Sequence, residues 1–148
     1  MNQPITSPLN TSHAIVRYPT ELPFPFAKAV AANGFLFLSG QVAMDDSGSP
    51  QHGDVPTQTR LILNNLQRTL IACGGAWEQV VKVTVWLSDM AHFAAFNQEY
   101  QRHFPAGFPA RSVVSCQLAF GLDVEIELQA CTHQSSPSPR SHADASAH

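Results

Sequence analysis

The chain has 148 residues, a formal net charge of -3 and a pI of about 6.1, and that length suits one domain able to bury a core without metals or disulfides. Charged residues make up only 13%, about half of the usual ~25%. No dense Lys/Arg patch is visible, so the electrostatic footprint of a nucleic-acid binder is missing.

Residues 1–12 are polar and turn-rich, with neither the basic start nor the apolar core of a signal peptide. No run anywhere reaches the ~18 apolar residues of a membrane span, so the expectation is a soluble, cytoplasmic protein with no membrane partner. Ala27 to Ala32 reads as a strand, followed by Asn33-Gly34, which tolerates the positive φ angles of a tight hairpin turn. Phe35 to Gly40 reads as the return strand, and Asp45 to Pro50 as a second turn. Leu61, Ile62, Leu66 and Leu70 recur at helical spacing over Pro56 to Ala72, with Asp54 or Thr57 as the cap and Gly74-Gly75 as the stop.

Trp77 to Val80 suits one short turn, and Val81 to Leu87, rich in β-branched residues, reads as a central strand. Ser88 or Asp89 caps a second helix from about Met90 to Phe104, whose stripe of Phe93, Phe96, Tyr100 and Phe104 is read as core packing. After a loop over Pro105 to Pro109, strands are predicted at Arg111 to Gln117 and Val124 to Thr132. The order β-β-α-β-α-β-β predicts an α+β sandwich with two helices on one face of a mixed sheet. Val124, Ile126, Leu128 and Ala130 would face the helices. Glu125, Glu127, Gln129 and Cys131 would lie on a second face that other subunits could cover. The domain is expected over 13–133, with a disordered tail over 134–148 that holds no apolar residue larger than Ala.

Cys73, Cys116 and Cys131 are too few and too far apart for a disulfide framework or a zinc site, and are read as reduced, mostly buried thiols. No histidines pair at metal-ligand spacing, and neither a phosphate-binding glycine loop nor a Gly-x-Ser-x-Gly elbow occurs. Arg111 stands out at the start of an otherwise apolar strand. It suits either a solvated strand end or a guanidinium fork that grips a carboxylate. Glu125, between Val124 and Ile126, suits either a proton-relaying carboxylate of raised pKa or a structural ion pair with Arg111.

Phe108-Pro109-Ala110-Arg111-Ser112-Val113-Val114 followed by Val124-Glu125-Ile126-Glu127 resembles the C-terminal signature of the Rid (YjgF-type) family. Phe37 to Gln41, Gln58-Thr59-Arg60 with Asn64-Asn65-Leu66, Val81 to Met90, and Phe93 with Phe96-Asn97 and Tyr100 resemble further family segments in the same order, over roughly Phe24 to Thr132. The resemblance implies a chorismate-mutase-like fold, a homotrimer with clefts between subunits, and no metal or organic cofactor. It implies hydrolysis of reactive imines and enamines, such as 2-aminoacrylate, to 2-keto acids and ammonia. Arg111 would grip the substrate carboxylate and Glu125 would position or activate water. Backbone groups of Gly40 and Val113 would lie at the same site, lined or supported by Ser39 and Asn97. Two positions depart from the pattern: Val113 replaces a cysteine found in many active members, and Phe24-Pro25-Phe26 replaces a Gly-Pro-Tyr stretch. Phe26 so keeps a ring without its hydroxyl, which implies either lower activity on small substrates or a pocket for a bulkier acid. The alternatives to a deaminase are a carboxylate-binding trimer without turnover, a ribonuclease or translation inhibitor, and a holdase.

Overall fold

The computed structural model describes residues 14–132, so the N-terminal segment 1–12 and the tail 134–148 lie outside the described residues. The elements are β1 (Val16–Pro19), β2 (Ala27–Ala32), β3 (Phe35–Val42), α1 (Val55–Ala72), β4 (Val80–Leu87), α2 (Phe93–Tyr100), β5 (Ala110–Ser115) and β6 (Val124–Cys131). They build one six-stranded sheet in the order β1-β2-β3-β6-β4-β5. All neighbours run antiparallel except β4 and β5, the pair that α2 connects. A parallel pair needs such a crossover.

The predicted α+β sandwich is present, with one strand more than expected. β1 was not predicted, because four residues ending in Pro19, mostly exposed, carry no alternation. Short, proline-bearing strands are typical of sheet edges. The hairpin between β2 and β3 turns at Asn33 and Gly34, with φ of 50° and 80°. Asp54 caps α1 by accepting from the Thr57 amide at 2.8 Å. At the other end Gly74, at φ 87°, lets the Gly75 amide bond back to the Leu70 carbonyl at 2.9 Å, a Schellman closure that glycine favours. The second helix is shorter than predicted: Met90–His92 and Gln101–His103 are 3-10 turns flanking α2.

Val124, Ile126, Leu128 and Ala130 are buried towards the helices. They meet Ile62, Leu63, Leu66 and Leu70 of α1 and Phe96 of α2 in one core. Arg60 clamps the helices together, reaching both carboxylate oxygens of the buried Glu99 at 3.0 and 3.3 Å. Leu66 has no exposed surface, so Leu66→Ala is expected to cost about 2–5 kcal/mol through lost burial and a cavity. That cost would be read as a lower urea midpoint at unchanged slope. The other sheet face carries Phe35 and Phe37, 38% and 41% exposed, opposite Cys131 and Gln129. The cysteines depart from expectation: Cys116 is exposed, and Cys73 and Cys131 are only partly buried. No helix among the described residues is long and apolar enough to cross a membrane.

Candidate active site in two half-clefts

β5 pairs with β4 so that Arg111 lies beside Val83 and Val113 beside Val85, both on the helix face. Arg111 Nη1 donates to Asn97 Oδ1 at 2.8 Å. Its guanidinium carbon sits 4.8 Å from the centre of the Tyr100 ring, 5.8 Å from Phe96 and 5.9 Å from Phe93. Those distances suit attraction between a cation and aromatic faces. Burial pushes the Tyr100 phenol up to about 12, although the nearby Arg111 charge works the other way, so the ring under the guanidinium is neutral. The Tyr100 hydroxyl is buried and has no hydrogen-bond partner among the described residues. Nor does Arg111 form an ion pair with any described carboxylate. Asn97 and the rings therefore aim the fork and leave its charge uncompensated over a cleft of about 330 Å³ that Phe108 and Pro109 also line.

Glu125 occupies a different cleft. Its neighbours across the sheet are Val42 and Trp86, which puts it on the face opposite the helices. β3 bulges between Leu38 and Gln41, and the carboxylate lies over Gly40: a Cβ there would come within 2.5 Å of Glu125 Oε1. Burial, with the negative charge of Glu127 adding to it, holds the Glu125 carboxyl above the ordinary glutamate value. The Ser39 hydroxyl donates to the Ala27 carbonyl at 2.6 Å, tying the bulge to β2. Phe24, Phe26, Ser39, Gly40, Phe120 and Glu125 share a cleft of about 650 Å³. Gly40→Ala would collide with the mobile end of Glu125 and not with backbone. It is expected to displace the carboxylate from its place over Gly40, with the urea midpoint close to wild type.

The structure thus sorts the predicted residues into two groups. Arg111 and Asn97 stand together on one face. Glu125, Gly40, Ser39 and Phe26 stand together at the other cleft. Val113 packs against the core and lines neither cleft. The alternative of an Arg111–Glu125 ion pair does not hold within one chain, because β4 lies between β5 and β6. Arg111 lies beside Val83 and Glu125 beside Trp86, three residues along and on opposite faces. Two strand spacings and that offset separate them by roughly 14 Å. The sequence reading missed the Tyr100 ring as the seat of Arg111, and Phe24 and Phe120 as walls of the Glu125 cleft. The aromatic stripe was visible, and Phe96, Tyr100 and Phe104 are core as predicted; that Arg111 rests on it follows only from the β4–β5 register. Phe120 sits at φ 61°, a left-handed conformation costing about 1–2 kcal/mol for a residue with a side chain. No local pattern signalled it.

Fold and site define a two-layer α+β sandwich with an arginine clamp on one sheet face and a half-buried carboxylate on the other. The family model described as Endoribonuclease L-PSP matches residues 20–132. A RutC family protein of Pyrococcus horikoshii is 38% identical over 111 residues, covering 74% of this chain and 87% of the relative. Reactive Intermediate Deaminase A, chloroplastic, of Arabidopsis thaliana is 36% identical over 106 residues, 71% of this chain and 56% of that protein. The crystal structure of YyfA of Yersinia pestis, of the conserved Rid protein family, superposes with a TM-score of 0.73 at 31% identity over 80% of this chain and 99% of that one. The chain belongs to the Rid (YjgF/L-PSP) family.

Proposed function

We propose that this protein is a deaminase that hydrolyses 2-imino and 2-enamino acids, such as 2-aminoacrylate, to 2-keto acids and ammonia. In this reading it works as a homotrimer whose site forms between two copies. The observation that carries the reading is the division of the site: Arg111 and Glu125 open on opposite faces of one sheet, in separate clefts. Neither cleft alone holds both an anion clamp and a proton acceptor. A second copy that sets its Glu125 cleft against the Arg111 cleft supplies both. The well-exposed Phe35 and Phe37 on the helix-free sheet face support an assembly through that face, since contiguous exposed apolar surface marks contact sites. The deaminase name borne by the Arabidopsis relative supports the chemistry.

The steps follow from the residues. An enamino acid tautomerises to the imine, and Arg111 grips its carboxylate through two parallel N–H···O bonds. That grip fixes the imine carbon against Glu125 of the neighbouring copy. Water adds to this carbon as Glu125 takes one of its protons, and the proton returns to nitrogen. Glu125 then carries the hydroxyl proton of the resulting aminoalcohol to its nitrogen; the C–N electron pair leaves with that nitrogen as ammonia while the oxygen lone pair closes the C=O bond of the ketone. Glu125 serves as acceptor because burial raises its proton affinity, bringing it closer to the working pH. No cofactor enters the balance. The test is an imine generated in situ by an amino-acid oxidase, with 2-keto acid release followed against time. The protein should raise that rate in proportion to its concentration, and a rate equal to the uncatalysed one would refute the proposal.

A further inference from the structure

We infer that the aromatic end of the Glu125 cleft is a side-chain pocket, and that it makes large apolar imino acids, aromatic ones above all, better substrates than three-carbon ones. This rests on the deaminase reading and adds the substrate class to it. The cleft measures about 650 Å³, within the range that takes drug-sized ligands and several times what a three-carbon acid fills. Its wall beside Glu125 is built by Phe24, Phe26 and Phe120, which are 45%, 39% and 50% exposed. Three large rings so exposed around one concavity form an apolar surface that a ligand can cover. The rings of Phe24 and Phe120 lie 6.4 Å apart and tilted by 54°, a contacting aromatic pair whose exposed faces a third ring can pack against by edge or offset contacts.

The wall is also held in place. Phe120 keeps a left-handed backbone at φ 61°, and His52 Nε2 donates to its carbonyl at 2.8 Å across 68 residues of sequence. A bulky residue persists in that conformation only where its surroundings over-determine it. The Phe26 amide donates to the Phe24 carbonyl at 2.9 Å, which fixes the turn carrying the other two rings of the wall. At Phe26 the missing hydroxyl makes this wall more apolar than the Gly-Pro-Tyr pattern would. With the carboxylate on a neighbour's Arg111 and the imine carbon facing Glu125, the substrate side chain lies against the exposed faces of these rings.

The experiment compares imines made in situ from phenylalanine, leucine and alanine, with calorimetric binding of phenylpyruvate and pyruvate alongside. The wild type should accelerate the phenylalanine-derived imine at least about tenfold more than the alanine-derived one, as a filled apolar pocket discriminates. Phe120→Ala and Phe24→Ala should each collapse that ratio, and Phe120→Leu should keep part of it. A ratio is insensitive to partial misfolding, which lowers both rates together. Hydrolysis with no preference, or a preference unmoved in both alanine variants, overturns the inference and leaves the deaminase reading standing. Phenylpyruvate binding that exceeds pyruvate binding and is lost in Phe120→Ala, with no turnover of any imine, upholds the pocket and overturns the deaminase. If Phe120→Ala dissociates the oligomer with the binding preference intact, the ring is an interface residue and the inference fails.

Discussion

On the deaminase reading, Arg111→Ala is expected to lower 2-keto acid release by about 10²- to 10⁴-fold. Two charge-assisted hydrogen bonds to the substrate carboxylate contribute about 1.5–3 kcal/mol each, and every ~1.4 kcal/mol is a factor of ten in rate. The carboxylate is held both before and during the reaction, so part of the loss is a higher KM. The rest falls on kcat, because a substrate without its anchor no longer presents the imine carbon to Glu125. Arg111→Lys should recover little, since an ammonium keeps the charge but loses the planar fork. The variant should still fold: Phe96 and Tyr100 remain packed on each other with ring centres 5.4 Å apart, and Arg111 lies on the edge strand. Steady-state rates beside a urea unfolding curve decide the matter. An undiminished rate in a folded Arg111→Ala protein would remove the arginine from the mechanism.

The parts of this fold that local chemistry encodes were legible in the sequence. Asn33-Gly34 can hardly be anything but a turn, and the alternation through β6 gave both of its faces residue by residue. Arg111 and Glu125 were legible as residue types, because an arginine and a carboxylate on apolar strands need a reason. Their spatial relation was not legible. It depends on β4 inserting between β5 and β6, which no local pattern states. Sequence neighbours among strands suggested contact, and the sheet order withdrew it. Phe120 was hidden for another reason: Phe120-Gly121-Leu122-Asp123 reads as a connection between strands, and its backbone carbonyl is held by a hydrogen bond from His52 on a distant loop.

On the proposed reading, a site divided between sheet faces would link activity to assembly. The helices cover one face of the sheet and leave Arg111 at its margin, seated on Tyr100. The bulge in β3 opens space over Gly40 for the carboxylate on the other face. Arg111 is seated by Asn97 and Tyr100 and the β3 bulge is tied to β2 within the single chain, so association would bring together two halves already built, a condition that favours precise positioning.

Glu125→Gln tests both the chemistry and that division. Glutamine keeps the shape and removes the proton acceptor, so kcat should fall by about 10²- to 10⁴-fold, the usual worth of a positioned acid–base group. Burial, with Glu127 adding to it, holds the Glu125 carboxyl above the ordinary glutamate value. The active, ionised form therefore grows as pH rises through that raised value and is lost as pH falls through it. The wild-type profile should show this acid limb, and the residual rate of Glu125→Gln should lack it. The division is tested by producing Arg111→Ala and Glu125→Gln chains together, with a different affinity tag on each, and isolating the mixed oligomers. If each site takes its arginine from one copy and its glutamate from the next, one of the three sites in every mixed trimer is intact, so the isolated mixed oligomers regain about a third of the wild-type sites. Either variant alone keeps only its residual rate. If both groups act within one chain, every chain in the mixture carries one broken half and no activity returns, so the mixed oligomer separates the two arrangements directly.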